Sequence, residues 1–73
     1  MPQSFPNSSA IESISDVIDN KLTITWKNGK TYTYTLTNPE NFLSEYSAVL
    51  SSKSQSIGRF VNRQIQENAL QVI

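Results

Sequence analysis

Neither cysteine nor histidine occurs in this chain, and the two absences remove most catalytic chemistry before any pattern is considered. Without them there is no disulfide framework to staple a small domain, no Ser–His or Cys–His nucleophile pair, and no thiolate or imidazole to hold a metal. A Ser–Lys arrangement is the nucleophile pairing that remains, and no spacing locates it. Carboxylates do not fill the gap. Asp16 with Asp19 and Glu40 with Glu45 are spaced as ordinary surface residues, and no run matches a calcium loop. With only two glycines, a glycine-rich phosphate loop is excluded. No apolar run is long enough to span a bilayer, and Met1 to Ala10 (MPQSFPNSSA) has no basic or apolar signal region. These absences predict a soluble, unexported, cytoplasmic protein that is not an enzyme and uses no cofactor or metal.

Charge of one sign is lacking as well. Six basic and six acidic residues cancel, so no global field draws in nucleic acid or an anionic membrane, and only local clustering can act electrostatically. The 73 residues form one domain, and a core of this size is marginal when nothing covalent supports it.

What is present centres on Lys21 to Leu36, KLTITWKNGKTYTYTL, a β-hairpin pattern. Leu22, Ile24 and Trp26 alternate with Thr and Lys; Tyr32, Tyr34 and Leu36 alternate with Thr; Asn28-Gly29 supplies the turn. Loop length decides the faces, because a one-residue slip moves a whole row of side chains to the other side. A two-residue loop places Trp26 opposite Thr31 and separates it from the tyrosines. A three-residue loop, Lys27-Asn28-Gly29, with a type I turn and Gly29 left-handed as a bulge, places Ile24 opposite Tyr32 and Leu22 opposite Tyr34. All large side chains then share one face, leaving Lys21, Thr23, Thr25, Lys27, Thr31, Thr33, Thr35 and Thr37 on the other. A chain this short can cover one side of a sheet, which favours the three-residue loop.

Around the hairpin, residues 1–9 read as a flexible lead-in and residues 10–73 as the domain. AIESISDVID from Ala10 fits a helix or a kinked strand equally by spacing, and the hairpin favours the strand, since two strands alone are unstable. The acids Glu12, Asp16 and Asp19 then lie along one edge as solvated charges that discourage aggregation. After Thr37 the period changes to that of a helix. Asn38 suits an N-cap, Pro39 the first helical position and Glu40 the first turn. Phe42, Leu43, Tyr46, Val49 and Leu50 line the face that should cross the sheet. Ser51 to Ser56 (SSKSQS) reads as a polar linker. Ile57, Phe60, Val61 and Ile65 mark a second helix, and ALQVI either frays or adds a further strand. The expected fold is α+β: a three-stranded antiparallel meander followed by two helices packed on one face.

The segments LTITWKNGKTYTYT, NPENF and SIGRFVNRQI resemble the KTSC domain, named for its place at the C-terminus of some lysyl-tRNA synthetases and also found free-standing. The family mark is a Tyr-x-Tyr pair, matched here by Tyr32 and Tyr34. It is followed by a helix and a Gly-aromatic-Asn-Ile run matched by Gly58, Phe60, Asn62 and Ile65. The spacing from Pro39 to Gly58 is a few residues longer than the family pattern, and the basic tail of many members is absent. The resemblance implies an RNA-contacting context, which is an analogy and does not by itself transfer an activity.

Two kinds of binding follow. One is docking of another protein by a small adaptor or modulator, on the strand surface of Thr31, Thr33 and Thr35 or at an open sheet edge, where a strand-paired homodimer is also accommodated. The alternative is RNA contact through Lys53, Arg59, Asn62 and Arg63, of which Arg59 and Arg63 project together from one helix. Ordinary solvation of that helix face is the plainer reading of the same residues, as core packing is of Tyr32, Tyr34 and Gly58.

Overall fold

The computed structural model describes residues 2–52 and 56–73. Its centre is the hairpin of β3 (Lys21–Trp26) and β4 (Thr31–Leu36). Leu22 faces Tyr34 and Ile24 faces Tyr32, the register of the three-residue loop. The turn explains it. The Gly29 N–H donates to the Trp26 carbonyl at 3.0 Å, and the Trp26 N–H donates to the Lys30 carbonyl at 2.8 Å. Gly29 lies at φ +90°, a conformation that costs a residue with a Cβ but not glycine. The Asn28 side chain braces the bend by accepting from the Lys30 N–H at 2.9 Å.

The sheet has five strands, in the order β1-β2-β3-β4-β5 with every pairing antiparallel, and not the three expected. Residues Gln3–Ser4 form β1 along β2 (Ile11–Ile14). A two-residue strand leaves no alternation to detect, which is why the lead-in gives no signal of it. The tail resolves into β5 (Leu70–Val72) beside β4. The acids of the β2 region therefore do not mark a bare sheet edge. Within β2 the register shifts between Ile11 and Ser13. That bulge puts Ile11 and Ile14, three apart, on the same face, each fully buried. Asp19 and Asn20 take φ +54° and +62° between the bridged pair Ile18 and Lys21, the two-residue turn that matches the strands' twist.

Helix α1 (Pro39–Ser51) starts where its cap residues predict: the Asn38 side chain accepts from the Asn41 N–H at 3.1 Å, with Pro39 in the first turn. Helix α2 (Ile57–Gln66) is capped by Ser56, which accepts from the Arg59 N–H at 3.4 Å. It ends with Asn68 at φ +62°, the Asn68 N–H donating to Ile65 at 3.1 Å and the Ala69 N–H to Gln64 at 2.8 Å. This Schellman closure turns the chain into β5. Both helices lie on the face of Leu22, Ile24, Tyr34, Leu36 and Leu70, and Phe42, Tyr46, Val49, Phe60 and Val61 complete a single core with them. The α1 stripe is narrower than expected, because Leu43 and Leu50 are both 44% exposed.

Replacing Gly29 tests the turn. A Cβ there meets nothing within 4 Å, so the cost of Gly29→Ala is that of the positive φ alone, about 1 kcal/mol. Urea unfolding should show that loss with the slope unchanged; a variant as stable as the parent contradicts the bulged loop.

Candidate functional site

The two faces of the sheet differ in chemistry. On the face away from the helices, Ser13 stands opposite Thr25 and Thr25 opposite Thr31; beside them Thr23 stands opposite Thr33, and Thr35 lies between Lys21 and Gln71. Alternation along each strand collects these residues on one side. Thr31 and Thr33 are exposed and Thr35 half-buried, and the hydroxyls of Thr23 and Thr33 lie 3.2 Å apart in a hydrogen bond. The expected strand surface thus extends on both sides of β4. Thr37 does not belong to it: it follows β4, and its hydroxyl donates to the Asn68 carbonyl at 2.7 Å, tying the start of α1 to the end of α2.

The helix face separates the two family-motif tyrosines. Tyr34 is 5% exposed in the core, whereas Tyr32 is 41% exposed and lies outside the core that was the plainer reading of both. The reason lies in the path of α2. It begins against the start of β2, where a Cβ on the buried Gly58 would come within 3.3 Å of the Ala10 Cβ, and leads into β5 beside Leu36. It therefore crosses the sheet diagonally and leaves the beginning of β4 bare. Gly58 is a close-approach residue at that crossing, which is a packing role.

Burial pushes the Tyr34 hydroxyl above its ordinary value, and the neighbouring Trp26 indole opposes the rise. The Trp26 Nε1 nevertheless makes no hydrogen bond of full geometry. Tyr46 is more extreme. It stacks on Phe60 at 6.0 Å and 7°, and both rings pack against Phe42. Its hydroxyl is buried and has no partner among the described residues, and burial, with the Asp16 charge adding to it, pushes it up to about 12.

Arg59, Asn62 and Arg63 are all exposed on α2; Lys53, the fourth member of the proposed patch, lies outside the described residues. Glu45 makes a contact that spacing does not reveal. Its carboxylate accepts from Nε2 of Gln64 at 2.9 Å, and Gln64 is the buried polar residue of the core, so the pair ties α1 to α2. A half-open groove of about 570 Å³ lies between residues 3–9, the end of α1 and the start of α2, lined by apolar Phe5, Val49, Leu50 and Ile57 and by polar Ser8, Ser9 and Ser56. None of the described residues proposed from sequence for binding lines it, although Val49, Leu50 and Ile57, expected as helix-face residues, do. Among the described residues no cluster of three metal-ligating side chains occurs, and no helix is long and apolar enough to cross a membrane.

The two tyrosines make an internal control. Tyr34→Ala should cost about 3–5 kcal/mol, most of what a domain this small possesses. Tyr32→Ala should cost much less, since water already reaches that ring. Parallel melting curves that shift equally would contradict the difference in burial.

Tyr46 yields a pH dependence. Its folded value is raised, so its stabilising contribution is complete below the ordinary tyrosine value near 10 and is lost as pH rises toward about 12. Tyr46→Phe should lessen the loss of stability over that interval. At neutral pH it should be neutral or mildly stabilising, because it deletes a buried hydroxyl that has no partner. Chemical unfolding of parent and variant at pH 7 and pH 10.5 checks both signs.

No family model, curated protein or solved structure matches the chain.

Proposed function

We propose that this chain is a non-catalytic binding module, an adaptor or modulator that docks another protein on the open, hydroxyl-rich face of its sheet, with the cytoplasm as its setting. The observation that carries the reading is the bare face itself. Thr31 and Thr33 present hydroxyls to solvent between Thr23, Thr25 and Thr35, and both helices are committed to the opposite side. Each hydroxyl can donate and accept, and β-branched side chains are stiff, so a partner meets a surface that loses little rotamer freedom on binding. The formal net charge of 0 suits recognition by shape and hydrogen bonding more than attraction of a polyanion.

A second reading, RNA contact, rests on a different observation. Single-strand binders stack bases on exposed aromatics, and Tyr32 is 41% exposed. The resemblance to the KTSC domain supports the same reading, with Arg59, Asn62 and Arg63 as backbone contacts.

One set of variants separates the two. Thr33→Arg should abolish capture of the protein partner in a pull-down while Arg59→Ala/Arg63→Ala leaves it intact, and the parent should elute from heparin independently of salt. Capture that is indifferent to Thr33→Arg contradicts docking on this face. Salt-sensitive retention on an RNA column, lost in Tyr32→Ala at unchanged stability, establishes the second reading in its place.

A further inference from the structure

The tip of the β3–β4 hairpin holds two groups that can react with each other. Asparagine is chemically labile because the backbone nitrogen of the next residue can attack its side-chain amide. A side chain on that next residue hinders the approach, and glycine has none. The chain contains seven asparagines, and Asn28 alone is followed by glycine. Lys27, Asn28, Gly29 and Lys30 are all exposed, so water and base reach the tip freely.

In the folded turn both reacting groups are held elsewhere. The Gly29 N–H donates to the Trp26 carbonyl at 3.0 Å, and the nitrogen cannot attack while it keeps that proton. The amide it would attack is fixed as well, since Asn28 Oδ1 accepts from the Lys30 N–H at 2.9 Å. Closing a ring between the Asn28 side chain and the Gly29 nitrogen means giving up both bonds. The tip must therefore open before the reaction proceeds, and opening of this kind costs free energy each time it occurs.

We propose that Asn28 is a site of spontaneous covalent modification, that opening of the hairpin tip sets its rate, and that its two products act differently on the fold. The Gly29 nitrogen loses its proton to base and its electron pair bonds to Asn28 Cγ. The bond from Cγ to Nδ2 breaks, and that nitrogen takes a proton from water and leaves as ammonia. Water then opens the cyclic imide at either carbonyl. Breaking the bond from Cγ to nitrogen gives aspartate, and breaking the bond from the backbone carbonyl carbon gives isoaspartate, with the chain now running through Cβ and Cγ. Aspartate keeps an oxygen for the Lys30 N–H and sets a negative charge between Lys27 and Lys30. Isoaspartate adds a backbone atom inside the ring closed by the Gly29 N–H and the Trp26 carbonyl. Loop length fixes the register of the two strands, so the isoaspartyl product loosens the feature that sorts the two faces of the sheet. The inference depends on the turn and on no docked partner, so it stands or falls independently of the reading of the threonine face.

Incubating the full chain at mildly alkaline pH, with and without guanidinium chloride, tests the rate without any variant. Mass spectrometry of the chymotryptic peptide 27–32 follows the exchange of the amide for a carboxylate, and methyl labelling by an isoaspartyl methyltransferase counts the isoaspartyl share. Modification in native buffer should run slower than in denaturant by about tenfold or more. The products are then compared by melting. Asn28→Asp supplies the aspartyl form, which should melt within about 2 °C of the parent. The isoaspartyl form, isolated by reversed-phase chromatography after reaction in denaturant and then refolded, should melt lower by about 5 °C or more, or fail to refold. Equal rates with and without denaturant, modification that appears first at another asparagine, an Asn28→Asp chain destabilised as much as the isoaspartyl form, or an isoaspartyl form that melts like the parent would each overturn the proposal.

Discussion

The register of the β3–β4 hairpin is the constraint on which the rest of the molecule depends. Had the loop closed over two residues, Trp26 would face the side opposite Tyr34, and each face of the sheet would be half apolar. Two helices cannot cover two faces. With Gly29 at φ +90° and Trp26 joined to Lys30, Leu22, Ile24, Tyr34 and Leu36 fall on one side, and Phe42, Tyr46, Phe60 and Val61 have a single surface to meet. The bulge in β2 serves the same end by bringing Ile11 and Ile14 onto that side. The side-chain alternation that completes the core also gathers the threonines, so the bare polar face is the necessary counterpart of the packed one.

Local chemistry was what the sequence made legible. The Asn-Gly turn, the Asn38-Pro39 helix start and the apolar spacing of α2 each involve residues within about one turn of one another, and each appears where its residues predict. What failed depended on the reach of elements over one another. Leu43 and Leu50 fit the α1 stripe as well as Phe42 does, yet both are 44% exposed, because periodicity gives a direction on a helix and says nothing of how wide a surface it meets. β1 has no pattern of its own and exists because β2 offers it an edge. For the tail, two outcomes were open in the sequence, fraying or a further strand, and Asn68 in the left-handed conformation after the last helical residues turns the chain into the strand.

The polar contacts divide in the same way. Asn38, Ser56 and Asn28 make bonds that follow from position. The bond from Gln64 to Glu45 joins residues nineteen apart, and in sequence Glu45 is one more surface acid. Tyr46 is the opposite case. Its ring fits the aromatic cluster with Phe42 and Phe60, and its hydroxyl finds no bond among the described residues in the place the ring requires. Packing has outweighed polar satisfaction at this position, a balance of aromatic burial against the modest net worth of one hydrogen bond.

Simple dimensions explain why Tyr32 and Val72 stay exposed. At about 1.5 Å per residue the ten residues of α2 span about 15 Å, while the six of β4 span about 20 Å. A helix that starts against Ala10 and leaves into β5 beside Leu36 cannot also reach the beginning of β4. Tyr32 and Val72 occupy the uncovered ground, Tyr32 one alternation before the Tyr34 that Val72 faces. The exposed corner is therefore a consequence of spanning five strands with two short helices.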